Sequence, residues 1–157
     1  MALCRDPKML HPYVLERQLT LFAWIEQDLH TRAVITETLR YPATQAAYFA
    51  RGRRPLEEVN GLYRTAGLAP ITATENLSIV TRVRESRHFP GPDGLSRAFD
   101  IGVFDHQGTL WNPKLDMDAD GICDWDEIAA YAESIGLVAG RRFHFVDSGH
   151  FEAPEGI

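Results

Sequence analysis

The chain has 157 residues, 45% of them hydrophobic, and a net charge of −6. That length holds one domain with a real core, 1–157, whereas dividing it would leave two marginal halves. No apolar run approaches the ~18 residues of a membrane span, and no basic face of the kind that binds nucleic acid stands out.

The opening stretch, Met1-Ala2-Leu3-Cys4-Arg5-Asp6-Pro7-Lys8, lacks the apolar core of a signal peptide. A protein made in the cytoplasm without a leader is therefore expected. Leu15, Leu19, Phe22, Ile25 and Leu29 recur at helical spacing, which predicts an amphipathic helix over 12–30 with Pro12 near its start. Val34 and Ile35 mark a short strand over 33–38. Two further helices are predicted over 42–50, ended by Gly52, and over 55–66, with Gly67 just beyond. Segment 77–83 is β-rich, and 89–96, with two prolines and two glycines, reads as a loop. A second strand is expected over 98–104, a helix over 125–135 closed by Gly136, and a last strand over 143–146 leading into Asp147. Strands and helices without a regular βαβ repeat predict an α+β domain with a small mixed or antiparallel sheet flanked by helices. Cys4 and Cys123 are too few and too far apart for a disulfide framework, so two reduced thiols are expected.

The negative charge has one address. Asp116, Asp118, Asp120, Asp124, Asp126 and Glu127 lie together without a basic residue among them, and the rest of the chain balances at 16 acidic against 16 basic residues. Such a local cluster points to a cation rather than to a generally acidic surface. The run Asp116-Met117-Asp118-Ala119-Asp120-Gly121-Ile122-Cys123-Asp124-Trp125-Asp126-Glu127 fits an EF-hand-like calcium loop. Asp116, Asp118 and Asp120 offer carboxylates, Gly121 permits the sharp turn, and Ile122 offers its carbonyl. Asp124 binds directly or through water, and Glu127 closes the site. Pro113 argues against a helix ahead of the loop, so half an EF-hand, built into another domain, is expected.

Two histidines and a carboxylate can hold zinc with one position open, and His88, Asp100 and His150 are candidates, with Asp147 a nearby base. Spacing alone does not select them from His11, His30, His106 and His144. The surroundings are more specific. Ser86-Arg87-His88, Ala98-Phe99-Asp100-Ile101 and Asp147-Ser148-Gly149-His150-Phe151-Glu152 resemble the motifs of zinc peptidases that cut peptidoglycan stem peptides. That family includes D-alanyl-D-alanine carboxypeptidases and dipeptidases and the L-alanyl-D-glutamate peptidases of phage endolysins. Upstream, Glu37-Thr38-Leu39-Arg40-Tyr41-Pro42, Gln45 and Tyr48 look like the family's arginine-bearing strand and following helix.

The resemblance, covering about 33–152, implies zinc on His88, Asp100 and His150 and a general base at Asp147. It implies Arg40 as a catalytic or substrate-binding arginine, Gln45 and Ser86 as pocket residues, and a scaffold of the hedgehog and D-alanyl-D-alanine peptidase type. The His88-to-Asp100 interval is longer than the family's, the extra residues falling in the loop 89–96, which leaves Asp93 as a lesser candidate ligand. The implied function is a phage-type endolysin: a monomeric zinc hydrolase of the L-Ala–D-Glu bond, acting on the wall after holin-type release, with calcium structural or regulatory. The alternatives are a D-Ala–D-Ala carboxypeptidase or dipeptidase, and a non-catalytic calcium-dependent binding domain with structural zinc.

Overall fold

The structure, a computed structural model, describes residues 3–157; Met1 and Ala2, the start of the stretch read for a leader, lie outside it. Four strands form one antiparallel sheet in the order β1-β2-β4-β3: β1 is Ala33–Glu37, β2 Ala98–Val103, β3 Val138–Ala139 and β4 His150–Glu152. The helices are α1 (Pro12–Asp28), α2 (Pro42–Ala50), α3 (Leu56–Thr65) and α4 (Asp124–Ser134). The α+β expectation with a small antiparallel sheet is thus met. No helix among the described residues is long and apolar enough to cross a membrane. Cys4 and Cys123 are both free.

The core lies between one face of the sheet and the pair α1 and α4. Phe99, Ile101, Val103 and Phe151 meet Val14, Leu21, Ile25, Leu29, Ile128 and Ala132 there, all buried. Alternation along β2 puts Phe99 and Ile101 on this face, which sends Asp100 to the other. Helices α2 and α3 form a separate small hairpin around Ala47, Val59 and Tyr63.

Three details differ from the sequence reading. The buried stripe of α1 runs through Val14, Gln18, Leu21 and Ile25, while Leu19 is 60% exposed. Two overlapping stripes share Ile25 and Leu29, and packing against the sheet selected the one containing Gln18. Segment 77–83 is not a strand. Its first residue ends a short 3₁₀ turn, Glu75–Leu77, and the rest is irregular, held by side chains rather than by a ladder. Gln45 Nε2 donates to the Thr81 hydroxyl (3.2 Å) and to the Val83 carbonyl (2.7 Å), and Arg53 donates to the Thr81 carbonyl (3.0 Å). Segment 143–146 is not a strand either; the pairing in this region falls to β3 and β4 on either side of it. Both segments carry β-formers, but β propensity expresses fit to a pleated neighbour, and neither segment has one.

Candidate metal centre and its cleft

Strand register assembles the site. Glu37 lies opposite Asp100 across β1 and β2, and Asp100 lies opposite His150 across β2 and β4. Residues directly opposite one another share a face, so these three form one transverse row on the side away from the core. His88 reaches the row from the loop before β2, where it is almost fully buried. His88 Nε2 lies 3.2 Å from Asp100 Oδ1 and 3.3 Å from His150 Nδ1, and His150 Nδ1 lies 2.9 Å from Asp100 Oδ1.

These three atoms can hold a metal ion. A tetrahedral ion with bonds of ~2.0–2.1 Å separates its donor atoms by about 3.3 Å; two of the three spacings match this and the third, at 2.9 Å, is a little shorter. The outer ring nitrogens are fixed as such a site requires. His88 Nδ1 donates to the Thr38 carbonyl (2.6 Å), so its Nε2 lone pair faces inward. His150 Nε2 is 2.8 Å from Glu152 Oε2, so a proton there leaves Nδ1 to face inward. Burial opposes charge on His150, but its bonds to Asp100 and Glu152 prevail and push it up to about 10. Burial likewise opposes the Asp100 charge, and the neighbouring His88 and His150 outweigh it, holding that carboxyl far below its usual range.

The row opens onto a cleft of about 910 Å³ whose lining includes Arg40, Ser86, His88, Asp100, Asp147 and His150. Its two rims are the irregular segments, with Ile79, Val80 and Val83 on one side and Phe143, Phe145 and Val146 on the other. Arg82 stacks on the Phe145 ring, 3.8 Å from its centroid, joining the rims. Asp147 is open to cleft solvent, yet loss of hydration by its carboxyl and the nearby Asp100 charge push its pKa up. Two glycines permit the turn that carries it. A Cβ on Gly149 would come 2.5 Å from the Ile101 carbonyl, and one on Gly140 would clash with the Asp147 carbonyl.

Arg40 lines the cleft but is heavily engaged. Its guanidinium donates to both oxygens of Glu37, to Gln45 Oε1 (2.8 Å) and to Asp100 Oδ2 (3.3 Å). Gln45 is buried behind it, and tying Arg40 to the 81–83 rim is the role its contacts show. Ser86 is at the cleft wall, where its hydroxyl accepts from the His88 amide (3.2 Å). His144 also lines the cleft and is exposed. Asp93 is outside the cluster: it is paired with Arg97, which with the Leu95 amide lowers its carboxyl to about 2. Sequence reasoning assigned no role to Thr38, Glu37 or Glu152. Glu152 was the most accessible of these, because a residue two positions from a strand-borne ligand shares its face.

The acidic loop is a second candidate cation site. Ala119 and Gly121 take positive φ (60° and 87°), and the Gly121 amide donates to Asp116 Oδ2 (3.2 Å). The Ile122 amide donates to Asp120 Oδ1 (2.7 Å) and the Met117 amide to Asp124 Oδ2 (2.8 Å). Asp116, Asp118 and Asp124 form one potential ligand group, and Asp118, Asp120 and Glu127 another. Asp116 Oδ1, Asp124 Oδ1 and Glu127 Oε2 are buried without a hydrogen-bond partner, and Asp124 is completely buried. Unpartnered buried carboxylate oxygens are costly unless a cation meets them. Burial, and then the neighbouring carboxylates, raise the pKa of Asp124 and Glu127. No helix precedes the loop, in keeping with Pro113.

No family model matches this chain, and no curated protein matches it in sequence. Among solved structures, its fold is similar to that of a Serratia marcescens L-Ala D-Glu endopeptidase, ChiX, with a TM-score of 0.52. The two are 14% identical, over 95% of this chain and 84% of that one. The likeness is one of fold.

Proposed function

We propose that the protein is a zinc peptidase that hydrolyses the L-Ala–D-Glu bond of peptidoglycan stem peptides, as phage-type endolysins do. The observation that carries this reading is the trio His88, Asp100 and His150, at near-tetrahedral spacing, opening onto a cleft that also holds Asp147. The endopeptidase named for the similar fold supports the choice of substrate.

Zinc held there would polarise a peptide carbonyl and acidify water toward ~7. The remaining work belongs to the chain. Asp147 takes the proton of the attacking water and passes it to the departing amine, a task suited by its raised pKa. Thr38 and Glu152 fix the two imidazoles, and Arg40, braced by Glu37 and Gln45, steadies Asp100. The Arg40 charge also favours a carboxylate or developing oxyanion in the cleft, and Ser86 lines the wall beside it. In the acidic loop, Asp116, Asp118, Asp120, Asp124 and Glu127, with the Ile122 carbonyl, would hold calcium.

Digestion of purified peptidoglycan, with zinc and calcium controlled separately, tests the reading by mass spectrometry of the new termini. A new amino terminus on D-Glu is expected, and its absence overturns the bond assignment. Release of free D-Ala would instead make the protein a D-Ala–D-Ala carboxypeptidase or dipeptidase. Binding without hydrolysis under every metal condition would make it a binding domain with a structural zinc.

A further inference from the structure

The side chain of Arg141 joins the turn that carries Asp147 to the helix leaving the acidic loop; the neighbouring Arg142 also reaches that helix, at Asp126 (3.7 Å) and Glu133 (3.3 Å), but does not touch the turn. Arg141 lies in the short 3₁₀ turn Gly140–Arg142 that follows β3. Its guanidinium forks onto Asp126, Nε to Oδ1 at 2.8 Å and Nη2 to Oδ2 at 3.1 Å. The third arm, Nη1, donates to the Ser148 hydroxyl at 3.1 Å. Asp126 stands in the first turn of α4 between Asp124 and Glu127, two of the candidate calcium ligands. Ser148 stands between Asp147 and His150. The Asp147 amide donates to the Gly140 carbonyl (3.0 Å), so residues 140 and 141 hold the turn from its backbone and its side chain together.

We infer that Arg141 is a positioning residue, a strut that sets the Asp147–His150 turn from the first turn of α4 and so conveys filling of the acidic loop to the general base. The inference rests on the function proposed above. With a cation in the loop, Asp124 and Glu127 are pinned to it and Asp126 is fixed between them. The Arg141 fork then has a stationary carboxylate to grip, and its third arm holds Ser148. Without a cation, the unpartnered oxygens of Asp116, Asp124 and Glu127 repel one another and the grip loses its base. Segment 143–147 is exposed and outside the sheet, and its other ties are Arg82 over the Phe145 ring, the Phe143–His150 ring contact and the backbone bonds at Gly140 and His150, none of which reaches α4. A planar fork suits the task, because it reaches a carboxylate with two bonds and a hydroxyl with a third at once, which an ammonium on a flexible stem does not. The Arg141–Asp126 pair is partly exposed, so its value is geometric rather than a large share of stability.

The test uses the zinc-loaded, ¹⁵N-labelled full chain titrated with calcium, as wild type, Arg141→Ala and Arg141→Lys. In the wild type the Ser148 and Gly149 amide resonances are expected to move as calcium binds. In both variants calorimetry should show calcium still binding while those resonances no longer follow. On peptidoglycan fragments, kcat should fall about tenfold or more with KM changed by less than about twofold, since small displacements of a catalytic group cost rate rather than binding. Wild-type resonances that ignore calcium, variant resonances that follow it unchanged, or a variant kcat within about twofold of wild type would each overturn the inference. If Arg141→Ala does not fold, Arg141→Lys and Ser148→Ala carry the same comparison. The resonance measurement needs no substrate. A wild type that cleaves nothing but shows the coupling sinks the proposed function and leaves the strut, while a wild type that cleaves without coupling does the reverse.

Discussion

The molecule has two candidate cation sites, built on opposite principles. The acidic loop draws its candidate ligands from twelve consecutive residues, Asp116 to Glu127, and three of their buried carboxylate oxygens have no hydrogen-bond partner. The His88, Asp100 and His150 centre draws one candidate ligand from each of three separate segments, and its donor atoms and outer ring nitrogens are held by hydrogen bonds among the side chains themselves and to Thr38 and Glu152. The first site therefore needs a cation to offset its buried charge, and the second is organised by its own hydrogen bonds. This contrast suits a loop that responds to its cation and a centre that waits for one.

The largest effect expected is at the preorganised centre. Asp100→Ala or His150→Ala should abolish zinc binding and reduce hydrolysis on the order of a thousandfold or more, the equivalent of several kcal/mol of Lewis-acid stabilisation. Metal analysis and turnover on the same samples check this. Asp147→Asn should keep zinc and its affinity while kcat drops ~10²–10⁴-fold, separating the base from the ligands. Glu152→Gln should bind zinc ~10–100-fold more weakly, because the proton on His150 Nε2 loses its charged acceptor; competition with a chelator measures it.

The loop should show the opposite signature in its pH dependence. The raised carboxyls of Asp124 and Glu127 add stability to the calcium-free fold below the ordinary carboxylate range, and that contribution is lost as pH rises through their raised values. Calcium replaces those protons. The gain in melting temperature on adding calcium should therefore grow between about pH 4 and pH 7. Glu127→Gln should shrink the gain. A gain that does not vary with pH would remove the need for a cation from the comparison. The smallest effect concerns α1: Leu19→Ser should change stability by less than about 0.5 kcal/mol, whereas Leu21→Ala should cost ~2–5 kcal/mol, as thermal unfolding would show.

Legibility followed the same division. Helices α1 to α4, strands β1 and β2 and the loop between His88 and Asp100 stand close to where periodicity, caps and Pro/Gly placement predict them. Strands β3 and β4, of two and three residues, are too short to carry a period and were missed. Segments 77–83 and 143–146 carry the apolar, β-forming residues of strands, yet they line the cleft as its rims.

The sequence by itself determined the acidic loop, because carboxylates spaced along twelve contiguous residues need only local backbone turns to converge. It also supplied the residues of the metal centre and the chemistry they share. Only the tertiary structure decided that Glu37, Asp100 and His150 form one row, that Arg40 is bound to Glu37 and Gln45 beside the cleft, and that Arg141 joins α4 to the Asp147 turn. The row depends on strand register, and His150 meets Asp100 and His88 across 50 and 62 residues, separations that no local preference encodes.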